Sequence, residues 1–402
     1  MLQNIRLENF KGFKKAQLDL GLITVLIGPN GTGKSSVPQA ILALAQSMGQ
    51  RGLVVDGPLI NLGDFDDVLN KSAPQGQLLI GLSVGVAEYK TLGIPQGASL
   101  SYHAYFDPGL IRSDATISSP KGPYLVVQIG PDQDTIEPPN LEQKDLPSGK
   151  SSVTLKAERL VGKPVAIAKV SHSPAFDSQA RVFRENAIEV FSAIETVFSN
   201  VYYVPAIRGL DQPRYTLAQQ PSEHLAAGQN MQLASTFAYA GRDIEEIVSI
   251  WSEEITGSEI GPLVIPGKFV AVKSYVVPGG IPVIGDGSGT NQLVQLLLTL
   301  AITPKRSLLA IEEPEIHLHP KAQTKLCDRL VEISKTHEKQ LVVTTHSQYI
   351  LYALVQAVKR ATLTRDELAI YYFEEKGAEP YRVEQDEYGD IYDWGKNFFS
   401  LT

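Results

Sequence analysis

A glycine-rich run near the start of the chain has the composition and spacing of a phosphate-binding loop. Residues 28–35 read Gly-Pro-Asn-Gly-Thr-Gly-Lys-Ser, which is a G-x-x-x-x-G-K-[ST] pattern. Glycines allow such a loop to turn its backbone N–H groups toward phosphate oxygens. Lys34 would then reach the β- and γ-phosphates of ATP, and the Ser35 hydroxyl would bind Mg²⁺.

The residues on either side of this loop support a nucleotide site. Residues 22–27 form an apolar run that predicts a buried strand, and residues 37–46 predict a helix. A helix that begins at the loop adds its positive N-terminal end to the phosphate site. The alternative is a glycine-rich turn that binds no ligand.

Two adjacent carboxylates follow a second apolar run. Residues 308–312 predict a central strand, so Glu312 and Glu313 would lie at its carboxyl end. Ligands bind at that edge in open α/β sheets. One carboxylate can support Mg²⁺, directly or through water, and its neighbour can polarise the attacking water. The alternative is a solvated acidic turn.

Three histidines lie close to these predicted strands. Residues 341–345 predict a neighbouring buried strand, and His346 at its end would contact the γ-phosphate and sense its loss. A structural role is the alternative for His346. His317 and His319 suggest a metal pair, but no Cys or further His lies at ligand spacing, so we expect a turn at a subunit interface.

A second glycine- and serine-rich segment, residues 285–292, precedes the apolar helix predicted at 293–300. A loop of this kind that opens a helix can hold an anion. One ATP needs only one such loop from its own chain. We therefore expect this loop to contact the γ-phosphate bound by a second subunit; a flexible turn with a helix cap is the alternative.

Hydrophobic periodicity predicts an α/β fold with a β-rich insertion. Helices and strands alternate in the last third of the chain, which implies a parallel sheet with crossover helices. A β-rich insertion with a helical segment is expected at 66–200, between ATPase segments at 1–65 and 201–402. Its predicted elements are antiparallel strands at 77–84, 100–106, 124–129 and 152–157, and a helix at 182–198.

The bulk composition limits the class of protein. The 402 residues are 43% hydrophobic and 20% charged, as in ordinary globular proteins, and the formal net charge of −8 argues against a broad basic surface. Cys327 is the single cysteine, so an intramolecular disulfide is excluded. No signal peptide and no membrane-spanning apolar run is recognised, so we expect a cytoplasmic protein that does not contact a membrane.

Taken together, these segments resemble the ABC-type ATPases related to SMC and RecF proteins. The likeness is greatest to the short AAA-like ATPases of the OLD (overcoming lysogenization defect) group. Residues 28–36 resemble the Walker A motif of that family, 308–320 its Walker B motif and D-loop, and 344–347 its switch histidine. Residues 5–13 and 203–208 are similar to its first strand and to the segment before its signature helix.

The resemblance implies a P-loop ABC-type ATPase that uses ATP and Mg²⁺. Glu313 would be the catalytic base, His346 the switch, and Ser288 and Gly289 signature residues that act in trans. Ser35 and Glu312 would bind the metal, with Asp64 or Asp66 in place of the usual glutamine; Thr290 departs from the second signature glycine. The implied nucleotide-binding residues are Asn30, Gly31, Thr32, Gly33, Lys34, Ser35, Ser36, Ser288 and Gly289.

OLD nucleases also carry a C-terminal TOPRIM nuclease domain. Only a short segment follows His346, so we expect that domain to be missing. The acidic residues near the end of the chain then predict a solvated hairpin rather than a nuclease metal site. They are Glu384, Asp386, Glu387, Asp390 and Asp393.

The leading hypothesis for function is an ATP-hydrolysing switch. A homodimer or higher homo-oligomer would close around ATP and control a separate effector, a nuclease or toxin, as the resemblance to bacterial anti-phage systems implies. A DNA-repair or recombination ATPase that clamps DNA is the alternative. A transporter ATPase subunit is disfavoured by the missing Gln loop and signature sequence, and a non-catalytic ATP-gated scaffold by Glu313 and His346.

Overall fold

The computed structural model describes residues 1–48, 50, 52–73, 76–85, 99–107, 110–119, 122–129, 196–220, 229–386 and 391. The chain divides into two compact units. The first comprises Met1–Leu20, Gly31–Ser199 and Glu375–Pro380, and the second comprises Gly21–Asn30, Asn200–Glu374 and Tyr381–Thr402. The strand predicted at 152–157 and most of the helix predicted at 182–198 lie outside the described residues.

Helices and strands alternate in type from Ser288 to Tyr372, as their bounds show. The strands are β1 (Leu2–Phe10), β2 (Phe13–Asp19), β3 (Ile23–Ile27), β4 (Leu78–Gly85), β5 (Ser99–Asp107), β6 (Leu110–Ser119), β7 (Gly122–Ile129), β8 (Val201–Val204), β9 (Tyr215–Thr216), β10 (Ile260–Ile265), β11 (Phe269–Ser274), β12 (Ile281–Pro282), β13 (Leu308–Glu312), β14 (Gln340–Thr344), β15 (Leu368–Tyr372) and β16 (Tyr381–Arg382). The α-helices are α1 (Ser36–Ser47), α2 (Phe65–Val68), α3 (Asn230–Tyr239), α4 (Arg242–Thr256), α5 (Ser288–Ile302), α6 (Pro320–Thr336) and α7 (Gln348–Lys359).

The first unit contains an antiparallel sheet in the order β2-β1-β4-β5-β6-β7. Side chains alternate across β1, so that Ile5 and Leu7 are fully buried whereas Arg6 lies on the other face. Helix α1 packs against β1 and β4 and buries Val37 and Ile41. The antiparallel strands predicted at 77–84, 100–106 and 124–129 are therefore confirmed as β4, β5 and β7.

The second unit is built on a sheet in the order β16-β15-β3-β14-β13-β8, in which every pair except β15 with β16 is parallel. All five residues of β3, β14 and β15 are buried, as expected for central parallel strands covered on both faces. Helices α6 and α7 connect β13 to β14 and β14 to β15. The predicted parallel sheet with crossover helices is confirmed.

The strand register places several predicted site residues at one edge of this sheet. Glu312 is paired with Thr344, and Thr344 is paired in turn with Leu26 of β3. Because the strands are parallel, the segments that follow β3, β13 and β14 leave the sheet on the same side. Gly28, Glu313 and His346 occupy the first positions of those segments or the next few.

A smaller antiparallel sheet in the second unit joins β9, β10, β11 and β12, and helices α3 and α4 pack against it. One predicted boundary near this region is wrong. The loop predicted at 285–292 ends earlier, because Gly287 is extended and its carbonyl accepts the first helical hydrogen bond, from Asn291 N at 3.0 Å. Strand β8 ends at Val204, since Pro205 cannot donate to a ladder.

Candidate nucleotide site

The first residues of the phosphate-binding loop belong to the second unit. Gly28 follows β3 directly and has a φ of +141°. A Cβ at this position would lie 2.2 Å from the carbonyl oxygen of Phe373, so only glycine fits. Pro29 and Asn30 come next and are exposed.

The rest of the loop belongs to the first unit and leads straight into α1. Gly33 has a φ of +109°, and a Cβ there would lie 2.7 Å from the Phe13 ring. The Ser36 N–H donates to the Gly33 carbonyl at 2.9 Å, which closes the turn at the start of the helix. Thr32 and Lys34 are buried, whereas Gly31 is exposed. A helix N-terminus directly after a tight glycine turn is the arrangement that holds phosphate.

Asp64, the predicted substitute for a metal-binding glutamine, lies in the first unit at the start of α2. It is exposed, and its backbone N–H donates to the Asp67 carboxylate at 2.9 Å. Asp66 is also exposed. Within the described part of the chain, no group of three or more His, Cys, Asp and Glu side chains forms a metal cluster. Mg²⁺ in nucleotide sites needs no such cluster, because water and phosphate oxygens supply most of its ligands.

The two adjacent carboxylates end β13 in the second unit. The Tyr203 hydroxyl donates to Oε2 of Glu312 at 2.9 Å. Burial raises the pKa of Tyr203 well above its ordinary value, and the charge of Glu312 raises it further. Oε1 of Glu312 is buried and has no hydrogen-bond partner among the described residues. A buried carboxylate oxygen without a donor suits a cation, so Glu312 fits the predicted Mg²⁺ ligand.

Glu313 and His346 face each other. The Glu313 N–H donates to the Thr344 carbonyl at 2.9 Å, and the residue has a φ of +42°, which is uncommon for a side chain of this size. Its Oε1 lies 3.9 Å from Nε2 of His346. Both side chains remain more than a third exposed. The catalytic base and the switch predicted from the sequence are therefore neighbours within one unit and are open to a ligand.

A third carboxylate, Glu315, holds the backbone beside His346. Its Oε1 accepts hydrogen bonds from the His346 N–H at 2.8 Å and from the Thr345 hydroxyl at 2.7 Å. Burial raises the pKa of Glu315, against the opposing effect of these hydrogen bonds. The next residue, Ser347, caps α7 by accepting from Tyr349 N and Ile350 N.

Arg208 lies behind the carboxylate turn and is 6% exposed. Its guanidinium group donates to six backbone carbonyls. Burial lowers its pKa to about 10, while Glu315 and Glu313 oppose that shift, and the group stays charged at neutral pH. The six carbonyls belong to Pro205, Ala206, Gln292, Glu312, Glu313 and Pro314.

The predicted signature residues lie in the first turn of α5. Ser288 is exposed at the start of the helix, and Gly289 is half-buried. A Cβ on Gly289 would lie 2.8 Å from the carbonyl oxygen of His317, so this turn packs closely against the segment that follows Glu313. The Asn291 side chain exchanges two hydrogen bonds of 2.9 Å with the backbone of Leu210.

The structure also describes His317, His319, Cys327, Arg214 and part of the acidic segment near the end of the chain. His317 is exposed in a turn with a φ of +61°, and Nδ1 of His319 accepts from Lys321 N at the start of α6. Cys327 is buried, which raises the pKa of its thiol. Arg214 lies over the Phe269 ring, 5.7 Å from its centroid. Glu384 is exposed and Asp386 half-buried, while Glu387, Asp390 and Asp393 lie outside the described residues.

Sequence reasoning misses three contacts at this site: Tyr203 with Glu312, Glu315 with His346, and Asn291 with Leu210. The two residues of each contact lie more than 30 positions apart in the sequence, so the contact depends on how the fold brings their segments together. The available signal was weak. It consisted of a tyrosine at the end of an apolar strand and a third acidic residue after the adjacent pair.

Known proteins share the fold of this chain and part of its sequence. A family model described as an AAA ATPase domain matches residues 1–73 and 247–351, somewhat less than half of the chain. The chromosome partition protein Smc of Methanocaldococcus jannaschii is 52% identical over 42 residues, which are 10% of this chain. The chain spans only 4% of the length of that relative.

Solved structures give the wider comparison. An SmcHead bound to the C-winged helix domain of ScpA is 13% identical and has a TM-score of 0.52, with 95% of this chain and 98% of that chain covered. An Smc head domain bound to the C-terminal domain of ScpA from Pyrococcus furiosus is 12% identical, with a TM-score of 0.48 and coverage of 95% and 96%. The similarity to the SmcHead structure shows that this chain has the same fold.

None of the helices in the described residues has the length and hydrophobicity that a membrane span requires. The fold is the SMC-like, ABC-type P-loop α/β fold, and the AAA ATPase domain match includes the phosphate-binding loop, the adjacent carboxylates and His346. These segments of the chain therefore resemble an AAA ATPase domain.

Proposed function

We propose that the chain is an ATP-driven switch in which two copies close around ATP and reopen after hydrolysis. The observation that carries this proposal is the arrangement after β13 and β14, where Oε1 of Glu313 lies 3.9 Å from Nε2 of His346. The preceding residue, Glu312, has a buried Oε1 without a hydrogen-bond partner among the described residues. Buried polar atoms without a partner are uncommon in native proteins, and a bound cation would account for the one on Glu312.

In this proposal each residue has one task in hydrolysis. Lys34 and the loop N–H groups bind the phosphates. Glu313 orients a water molecule and accepts its proton as the water attacks the γ-phosphorus, and the bond to the β-phosphate oxygen breaks to give ADP and phosphate. His346 contacts the γ-phosphate and responds to its loss. Mg²⁺, held by Ser35 and Glu312, would supply charge neutralisation at the phosphate oxygens.

Dimer closure is proposed from the exposed start of α5. Ser288 is exposed at the N-terminus of a 15-residue helix, and an anion is stabilised at such an end. We propose that it caps the γ-phosphate bound by a second copy of the chain, and that Gly289 allows the close approach. The catalytic gain would come mainly from these preorganised dipoles and charges.

The output of the switch is proposed to lie in a separate protein. The solved SmcHead is bound to a domain of ScpA, so a head of this fold can carry a separate partner. For this chain we propose an effector of the nuclease or toxin class in anti-phage defence, on the basis of the resemblance to OLD-group ATPases.

A DNA clamp is the second candidate function. The local identity to a chromosome partition protein favours it. The net charge of −8 disfavours a broad DNA-binding surface. Salt-sensitive DNA binding that ATP strengthens would support the clamp, whereas effector inhibition without DNA would support the switch.

Mass photometry with and without ATP tests the switch. We expect Glu313→Gln to accumulate a dimer with ATP, because the water is not activated and the closed state persists. We expect Lys34→Ala to stay monomeric, and the matched control Glu338→Gln, which alters an exposed ion pair with Arg306, to behave as the wild type. A Glu313→Gln protein that binds ATP but never dimerises would contradict the proposal.

A further inference from the structure

We propose that residues 205–210 form a bracket that fixes the start of α5 to the catalytic carboxylate turn, with Arg208 and Asn291 as positioning residues. The inference rests on the proposed function. In that function α5 serves the ATP bound by a second copy, while Glu313 serves the ATP bound by its own chain. The bracket would therefore keep the two halves of the machinery in a fixed relation.

Arg208 provides one end of the bracket. Its Nη1 donates to the Glu312 carbonyl at 3.0 Å, and Nη2 donates to those of Glu313 and Pro314 at 3.3 and 3.2 Å. Its Nε donates to the Gln292 carbonyl in α5 at 3.1 Å. A single planar group thus joins the backbone of the carboxylate turn to the first turns of the helix.

The turn needs such support because Glu313 has a φ of +42°. A bulky residue in that region of the backbone map persists only where the surroundings hold it. Arg208 contacts the carbonyls on both sides of the Glu313 Cα, namely those of Glu312 and Glu313. The direction in which the Glu313 carboxylate points is therefore set partly by the buried guanidinium group.

Asn291 provides the other end. Its Nδ2 donates to the Leu210 carbonyl and its Oδ1 accepts from the Leu210 N–H, both at 2.9 Å. The side-chain amide therefore pairs with the backbone as a neighbouring peptide group would. Gly209, with a φ of +108°, allows this approach, since a Cβ there would lie 3.1 Å from Nδ2 of Asn291.

These contacts involve backbone carbonyls and amides, not groups that the proposed mechanism assigns to nucleotide binding. Loss of the bracket should therefore lower the rate of hydrolysis and spare nucleotide affinity. Arg208→Lys keeps the positive charge, but a lysine has a single ammonium group and cannot donate to the carboxylate turn and to α5 at the same time as the planar guanidinium group does. Asn291→Ala removes the other end and touches no carbonyl of residues 312–314.

The experiment measures ATP turnover against ATP concentration for the purified full chain, with nucleotide affinity measured separately by a fluorescent ATP analogue. We expect Arg208→Lys to lower kcat about tenfold or more, because a misplacement of about 1 Å costs as much as a hundredfold. We expect KM and analogue affinity to change less than about threefold. Arg306→Lys, in an exposed ion pair with Glu338, is the matched control and should turn over ATP as the wild type does.

A second comparison tests whether the two ends act as one device. Asn291→Ala should also lower kcat, and its combination with Arg208→Lys should lose less activity than the product of the single losses. If circular dichroism shows that Arg208→Lys does not fold, the kcat and KM of Asn291→Ala alone test the bracket. An unchanged kcat in Asn291→Ala, or a purely additive pair of free-energy losses, would overturn the bracket.

Failure of the bracket and failure of the proposed function give different results. A wild-type protein that does not hydrolyse ATP would reject the switch itself. Normal wild-type turnover with unaltered Arg208→Lys and Asn291→Ala would reject the bracket alone.

Discussion

Removal of one hydroxyl, in Tyr203→Phe, probes the carboxylate that is assigned to the metal. The Tyr203 hydroxyl is the donor to Oε2 of Glu312 at 2.9 Å, and Oε1 of Glu312 is already buried without a partner among the described residues. The variant keeps the ring and its packing but removes the donor to Oε2, so that neither carboxylate oxygen of Glu312 has this kind of support from the described residues. The variant therefore tests the orientation of the Glu312 carboxylate without changing the shape of the site.

The size of the effect follows from the type of bond. A hydrogen bond to a charged group contributes about 1.5–3 kcal/mol, and loss of a group that orients a metal ligand costs about 10–100-fold in metal affinity. We expect the Mg²⁺ concentration that gives half-maximal ATP turnover to rise about 10–100-fold. We expect the free energy of unfolding without nucleotide to fall by about 1–3 kcal/mol, because a buried carboxylate loses its donor.

A Mg²⁺ titration of steady-state ATP turnover and a urea unfolding series measure the two effects. Tyr239→Phe is the matched control, since the Tyr239 hydroxyl donates to the Ala218 carbonyl at 2.9 Å in an exposed setting. It should leave the Mg²⁺ requirement unchanged and the free energy of unfolding within about 0.5 kcal/mol of the wild type. A Tyr203→Phe protein with the wild-type Mg²⁺ requirement would refute the assignment of Glu312 to the metal.

Two further predictions follow from the packing of α5 at its two ends. Gly289→Ala should lower kcat and reduce the free energy of unfolding by about 1–3 kcal/mol, because the new Cβ would lie 2.8 Å from the carbonyl oxygen of His317. Gly52→Ala is the control and should change neither quantity, because a Cβ at Gly52 has no heavy atom within 4 Å. Lys339 is buried and its Nζ donates to the Leu300 carbonyl and the Thr303 hydroxyl, and burial lowers its pKa from 10.5 to about 8. The unfolded chain therefore binds more protons than the folded chain between pH 8 and 10.5. Urea titrations should show that the free energy of unfolding of the wild type, relative to that of Lys339→Met, rises across this pH range. A difference that does not change with pH would contradict the lowered pKa of Lys339.

The elements of the parallel sheet could be predicted from the sequence because their pattern is local. Strands β3 and β14 are short apolar runs followed directly by polar motif residues, and each is followed by a periodic helix. The position of Glu313 and His346 at one sheet edge followed from the rule that parallel strands end together. Their separation of 3.9 Å agrees with that expectation.

The supporting contacts could not be predicted, because they depend on register and backbone conformation. Tyr203 reaches Glu312 only because Tyr203 is paired with Ala310, two residues before Glu312 on the same face of β13. Nothing in the local sequence sets that register. The partners of Arg208 are backbone carbonyls, which every residue carries, so residue types give no signal for them.

Steady-state ATP turnover of the wild type and of Glu313→Gln, with nucleotide binding measured on the same samples, tests the central claim most directly. A positioned general base contributes about 10²–10⁴-fold to a rate, so Glu313→Gln should bind ATP normally and lose at least about a hundredfold in kcat. Glu338→Gln should lose nothing. Equal turnover by the wild type and Glu313→Gln would contradict the claim that the carboxylate facing His346 drives hydrolysis.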